Sequence, residues 1–272
     1  MIRMHKRHKM EKEITCFEAA RVMEKALDVG EAMLCTGAEI SRVEDTILRI
    51  CRSYGGGVID VFTILSLIIL SWHTTDDQNF TQTRRIYSYS TDLGKLEELN
   101  ALSRYICANK PSCDEIEQKV EKIMHGDRRR ISGSRMAGYV LGASAFAIFF
   151  GGNMRDGVAA GMVALIFYFW EYVFGPRSKN RVVYTLLSSF AVGILCMLSV
   201  LCGVGVHVDK VMIGNIMLQI PGINMMNAIR DMMCGDMITG LLRLMEAIIL
   251  AVAIAAGFAL AIIGFTKLGI GV

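Results

Sequence analysis

Met212-Ile-Gly-Asn-Ile-Met-Leu-Gln-Ile-Pro-Gly-Ile-Asn-Met-Met-Asn-Ala-Ile-Arg-Asp231 is the stretch on which the reading of this chain turns. It belongs to an apolar run, about 208–228, of the length needed to cross a bilayer. Pro221 removes a backbone donor and breaks the helical ladder, and Gly222 loosens the turn beside it. Backbone groups freed inside a membrane must face protein or a water-filled cavity. Four amide side chains surround the break: Asn215, Gln219, Asn224 and Asn227. Asn224 and Asn227 are three apart, hence neighbours on one face of a continuing helix. Arg230 and Asp231 follow at its end. Two readings stay open. Broken helices are where transporters hold polar substrates, but a proline kink with amides bonding between helices has the same sequence signature.

The surroundings of this segment are apolar. Of residues 136–272 only 14 are charged, against 41 of residues 1–135. Hydrophobic residues make up 53% of the whole chain, and mean hydropathy is +0.42. Eighteen of the 26 glycines lie after residue 135, where membrane helices use small residues to pack closely. Hydropathy predicts spans over about 135–150, 156–174, 182–202, 208–228 and 238–265. Gly138-x-x-x-Gly142 and Gly157-x-x-x-Gly161 are candidate close crossings. Glu171 falls in an aromatic cluster suited to a membrane interface. Glu246, three residues after Arg243, is either a cavity-facing group that carries a proton or a member of a snorkelling pair.

Loop charges predict orientation. Arg128, Arg129, Arg130, Arg135, Arg177, Lys179, Arg181, Arg230 and Arg243 flank one side, against Arg155, Lys210 and Lys267 on the other. The positive-inside rule then places the N-terminal half in the cytoplasm, and five spans leave the C-terminus outside. Met1–Glu13 is a basic tail without the apolar core of a cleavable signal. The 21 basic residues before residue 136 are nearly cancelled by 20 acidic ones, which argues against nucleic-acid binding. The eight cysteines show no zinc spacing and no disulfide framework. No phosphate-cradling glycine loop is present, so no cofactor is expected.

The polar half, 14–130, reads as a small α+β domain. Residues 15–35 and about 38–52 are predicted helices. On the second, Ile40, Val43, Ile47, Ile50 and Cys51 share one face, with Glu39 and Glu44 at its edges. Val58–Trp72 and Phe80–Ser90 read as a β-hairpin or adjacent strands, with a polar connection between them. His73, Asp76 and Asp77 in that connection read as a solvated loop. Leu93, Leu96, Leu102 and Ile106 predict a third helix, and Ser112 with Glu115 a capping box that opens a fourth. The expected fold is a cytoplasmic α+β domain followed by an all-α bundle of about five transmembrane helices.

Leu34-Cys-Thr-Gly-Ala-Glu-Ile-Ser-Arg-Val-Glu-Asp45 resembles the motif that opens the threonine/serine exporter family, with Gly37, Glu39, Arg42 and Glu44 at its matching positions. Ile220–Asp231, followed by Gly240-Leu-Leu-Arg-Leu-Met-Glu246, is the second match. The resemblance implies export of small amino acids, or of dicarboxylates such as succinate, driven by the proton gradient across a bacterial inner membrane. Long members of the family have about ten spans, and this chain looks like the first half. Such half-length members are similar to one subunit of a two-gene system, whose partner is a short membrane protein resembling the second half. A homo-oligomer is the other arrangement. On this reading Asn215, Gln219, Pro221, Gly222, Asn224, Asn227 and Arg230 line the substrate path, and Asp231 or Glu246 carries the coupling proton. The rival classes are a membrane-anchored enzyme or sensor, in its strongest form a hydrolase using Glu39 and Glu44, and an assembly subunit whose pore lies in a partner.

Overall fold

The computed structural model describes residues 16–74, 78–87, 90–126, 133–178 and 180–267. The basic tail, Asp76 and Asp77, Arg128 to Arg130, Lys179 and the last five residues lie outside them. Four of the nine cations behind the expected orientation are therefore not described. Contacts divide the chain into two compact units. One comprises the described residues before 128 together with Asn227–Leu242. The other comprises 133–226 and the described residues from Arg243 onward.

The first unit is α+β. Helix α1 (Cys16–Cys35) ends where Gly37 adopts φ +96, the left-handed position that closes many helices. The N–H groups of Gly37 and Ala38 return to the carbonyls of Leu34 and Met33. Helix α2 (Ile40–Tyr54) starts at the cap residue Glu39 and buries the predicted stripe Ile40, Val43, Ile47, Ile50 and Cys51. The run expected as one strand holds two. β1 (Val58–Ile64) pairs antiparallel with β2 (Leu67–His73) across the two-residue turn Leu65-Ser66. That turn lacks the Asn-Gly or Asp-Gly signal that makes tight hairpins legible. β3 (Asn79–Arg85) adds on the far side of β2, giving the order β1-β2-β3. Ile68, Leu70 and Trp72 of the central strand are fully buried, together with Met23, Leu27 and Ile47 of the helices. Helix α3 (Leu93–Asn109) is capped by Asp92, whose carboxylate accepts from Lys95 N–H. Helix α4 (Cys113–His125) is capped by Ser112, which accepts from Glu115 N–H. The Glu115 carboxylate accepts from Tyr105 OH at 2.9 Å.

The second unit is all helical: α5 (Gly133–Phe149), α6 (Met154–Phe174), α7 (Arg181–Leu201), α8 (Val208–Gln219), and parts of α9 (Gly222–Met233) and α10 (Met237–Lys267). Among the described residues α6, α7 and α10 are long and apolar enough to cross a membrane. α5 has 17 residues and α8 only 12, because the fourth apolar run is not one helix. The ladder stops where expected. Pro221 lies between α8 and α9, and its carbonyl accepts from Met225 N–H. Gly222 has open space around its Cα and no left-handed backbone, so the proline alone accounts for the break.

Of the two Gly-x-x-x-Gly pairs, Gly157 and Gly161 are at a close crossing. A Cβ on Gly161 would lie 2.6 Å from Ser144 Oγ, and one on Gly157 2.8 Å from an Ile148 methyl. Gly138 meets nothing within 4 Å. The sequence did not point to Asp156. It is fully buried at the start of α6, where it accepts from the N–H groups of Asn153, Val206 and His207. It also lies 2.8 Å from His207 Nδ1, so it ties the loop before α8 to the first turn of α6.

Candidate functional site

The two family-like motifs of the sequence meet in the first unit. Gly37 is placed by the left-handed turn that closes α1, and Glu39 by the start of α2. Glu39 does not bond its own helix end. Its carboxylate accepts from Arg230 Nη1 at 2.7 Å, and Asn227 Nδ2 donates to Gly37 O at 3.3 Å. One turn of α9 thus grips the α1–α2 connection at two points, one charged and one neutral. Glu39 is the buried side of the pair, with 14% of its side chain exposed, against 57% for Arg230. Asp231, next along α9, is buried.

The other two motif residues go elsewhere. Glu44 Oε1 accepts from the backbone N–H of Thr63 on β1 at 2.7 Å. Burial pushes its carboxyl above the ordinary range; the Thr63 N–H opposes that shift, and nearby Asp236 adds to it. Arg42 points to solvent on the opposite face of α2 and forms no ion pair among the described residues. An arginine bridging the two glutamates is therefore not what the fold builds. A shared water between Glu39 and Glu44, as a hydrolase would need, is equally unsupported, since each carboxylate has its own separate donor.

The second unit holds the remaining amides. Asn215 and Gln219 are one turn apart on α8. Asn215 is fully buried, and its Nδ2 donates to the carbonyls of Val211 at 3.0 Å and Ala160 at 3.3 Å. Gln219 Oε1 accepts from Ser189 Oγ on α7 at 2.7 Å. Asn215 Oδ1 and Gln219 Nε2 are buried without a partner among the described residues. Such atoms are rare in folded proteins and costly in an apolar setting. Ser188 and Ser189 were not singled out in the sequence; two adjacent hydroxyls in the apolar run of α7 were the available signal. Asn224 is half-buried on α9. Glu246 pairs with Arg181 at the start of α7, at 3.2 Å. Glu171 accepts from Tyr139 OH.

A family model described as "Putative threonine/serine exporter" matches residues 24–263. A protein of Mycobacterium tuberculosis (strain ATCC 25618 / H37Rv), named "Probable threonine/serine exporter", is 24% identical over 261 residues. The match covers 92% of this chain and 47% of that protein, so the chain spans about half the length of its relative. No solved structure matches.

Proposed function

Because this chain belongs to the threonine/serine exporter family, we propose that it is one subunit of a secondary exporter of small polar metabolites. Its substrates are serine- and threonine-like amino acids or succinate-like dicarboxylates, and the proton gradient drives it. The family is of transporter type. The reading includes a partner, either a short membrane subunit resembling the family's other half or a second copy of this chain. The 208–228 segment, broken at Pro221, then counts as the fourth of five spans in a bacterial inner membrane, with the polar unit in the cytoplasm.

One observation carries this reading. Two buried amide atoms, Asn215 Oδ1 and Gln219 Nε2, stand one helical turn apart beside a helix break and lack partners among the described residues. A polar substrate passing α8 would satisfy both, an acceptor for an ammonium or hydroxyl and a donor for a carboxylate. In the first unit, Arg230 is a separate point of capture. It holds Glu39 at rest, and an arriving carboxylate competes for the same guanidinium. Asp231 and Glu246 are the groups assigned to the proton.

Efflux from loaded vesicles carrying the chain and its partner subunit tests this. Asn215→Ala and Arg230→Ala should each lower efflux of serine, threonine or succinate about tenfold or more, the value of one charge-assisted or buried hydrogen bond. Unchanged efflux in both variants would overturn the site.

A further inference from the structure

The groove between α2 and α3 in the first unit has no part in this transport path, and its chemistry is distinctive. It has a volume of about 910 Å³, within the range of small-molecule sites. Arg42, Asp45 and Arg49 come from one face of α2; Glu97, Asn100 and Arg104 come from one face of α3. In each set the spacing of three, four or seven residues aligns the side chains along the groove. Arg49 is neutralised by Asp45 at 2.9 Å. Arg42 and Arg104 form no ion pair or side-chain hydrogen bond among the described residues, and neither does Glu97. Two uncommitted guanidiniums thus line one cavity with one uncommitted carboxylate and a free carboxamide. Cys107 lies in the same cavity and is half-buried.

Guanidinium forks match carboxylates in shape and charge. A helical surface meant only for solvation intersperses opposite charges and closes them into i,i+4 pairs, as Asp45 and Arg49 do. We propose that this groove binds a small carboxylate-bearing metabolite, held by Arg42 and Arg104. Glu97 is placed to receive an ammonium when the ligand is a zwitterion. The site stands apart from the transport reading: it needs neither the partner subunit nor the α8 amides.

Cys107 gives a local readout. Full-length protein in detergent is alkylated with N-ethylmaleimide, alone and with succinate, L-serine or inorganic phosphate, and labelling of Cys107 is followed by mass spectrometry. Exposed Cys234 serves as the internal control. Succinate or serine should slow labelling of Cys107 and leave Cys234 unchanged. Arg42→Gln and Arg104→Gln should raise the concentration needed for protection about tenfold or more. Both positions are solvent-exposed, so these variants keep the fold. Glu97→Gln should abolish protection by serine and spare that by succinate if the zwitterion mode holds. Absence of protection by both carboxylates would overturn the proposal. So would protection that survives both arginine substitutions, or equal protection by phosphate. Efflux through Asn215 can fail or succeed independently of any of these outcomes.

Discussion

In the polar unit the interior is built from large side chains. The twelve largest fully buried residues of the described chain, Trp72, Met23, Leu27 and Ile106 among them, all lie there. In the apolar unit small residues take a larger share of the interior, beside Phe167, Ile254 and Phe258. Ala143, Ala147, Ala159, Ala160 and Ala164 are buried, while Leu141, Phe149, Val158 and Ile166 face outward. Water drives large apolar groups inward at about 25 cal/mol per Å². Lipid exerts no such drive, because its tails are as apolar as leucine, and helices there gain by close backbone approach over small residues. Two regions of one chain thus differ in how far small residues fill the interior, each suited to a different solvent.

The contrast is open to direct attack. The largest effect is expected from Trp72→Ala. Trp72 is fully buried and donates to Gly56 O at 3.1 Å, and its truncation should destabilise the polar unit by about 3–5 kcal/mol. Alkylation of Cys51, buried and with its thiol pushed up to about 12, reports that loss, and buried Cys196 should stay protected. If the two cysteines became reactive together, the idea of two separately packed interiors would fail.

A smaller loss, caused by adding atoms rather than removing them, is expected in the apolar unit. A Cβ on Gly257 would lie 2.6 Å from Leu186 O and 2.9 Å from Phe190 N, both backbone atoms that cannot swing away. Adding a methyl there, Gly257→Ala, should destabilise by about 1–3 kcal/mol. Removing most of a side chain at exposed Ile166, by Ile166→Ala, should change stability by less than about 0.5 kcal/mol. Thermal unfolding of the detergent-solubilised chain measures both, and the reverse ranking would contradict a lipid-adapted interior.

The smallest effect concerns Glu44, whose folded carboxyl is raised by burial. A raised carboxyl holds its proton more tightly in the folded state. Its stabilising contribution is complete below the unfolded value, near 4.3, and is lost as pH rises through the folded value. Glu44's contribution to the wild-type unfolding midpoint should therefore decline slightly as pH rises above that unfolded value. Glu44→Gln, which can still accept the Thr63 N–H, should flatten that decline. A steeper slope in the variant would place the effect on another group.

What could be read from the chain followed from local rules. The α2 stripe, the cap at Ser112, the α1 turn at Gly37 and the stop at Pro221 each depend on residues within a turn or two of one another. The hairpin inside Val58–His73 was hidden because its turn, Leu65-Ser66, carries no glycine or asparagine and its burial is set by helices distant in sequence. The same limit applied to the candidate sites. The amides around Pro221 stood out as polar residues in an apolar run. Their partners, Ser189 for Gln219 and the Gly37 carbonyl for Asn227, come from segments distant in sequence, so no local pattern pairs them. Glu246 has Arg181 as a partner, 65 residues away.

By itself, then, the sequence determined the division between a polar and an apolar half, the helical break and the motif residues, since composition, periodicity and proline act on neighbouring residues. Only the tertiary structure decided that Glu39 meets Arg230 across 191 positions, that Arg42 lies exposed at the edge of a groove it shares with Arg104, and that two amide atoms of α8 are without partners among the described residues. Those are matters of which surfaces touch, and contact between distant segments depends on packing geometry rather than on any local pattern.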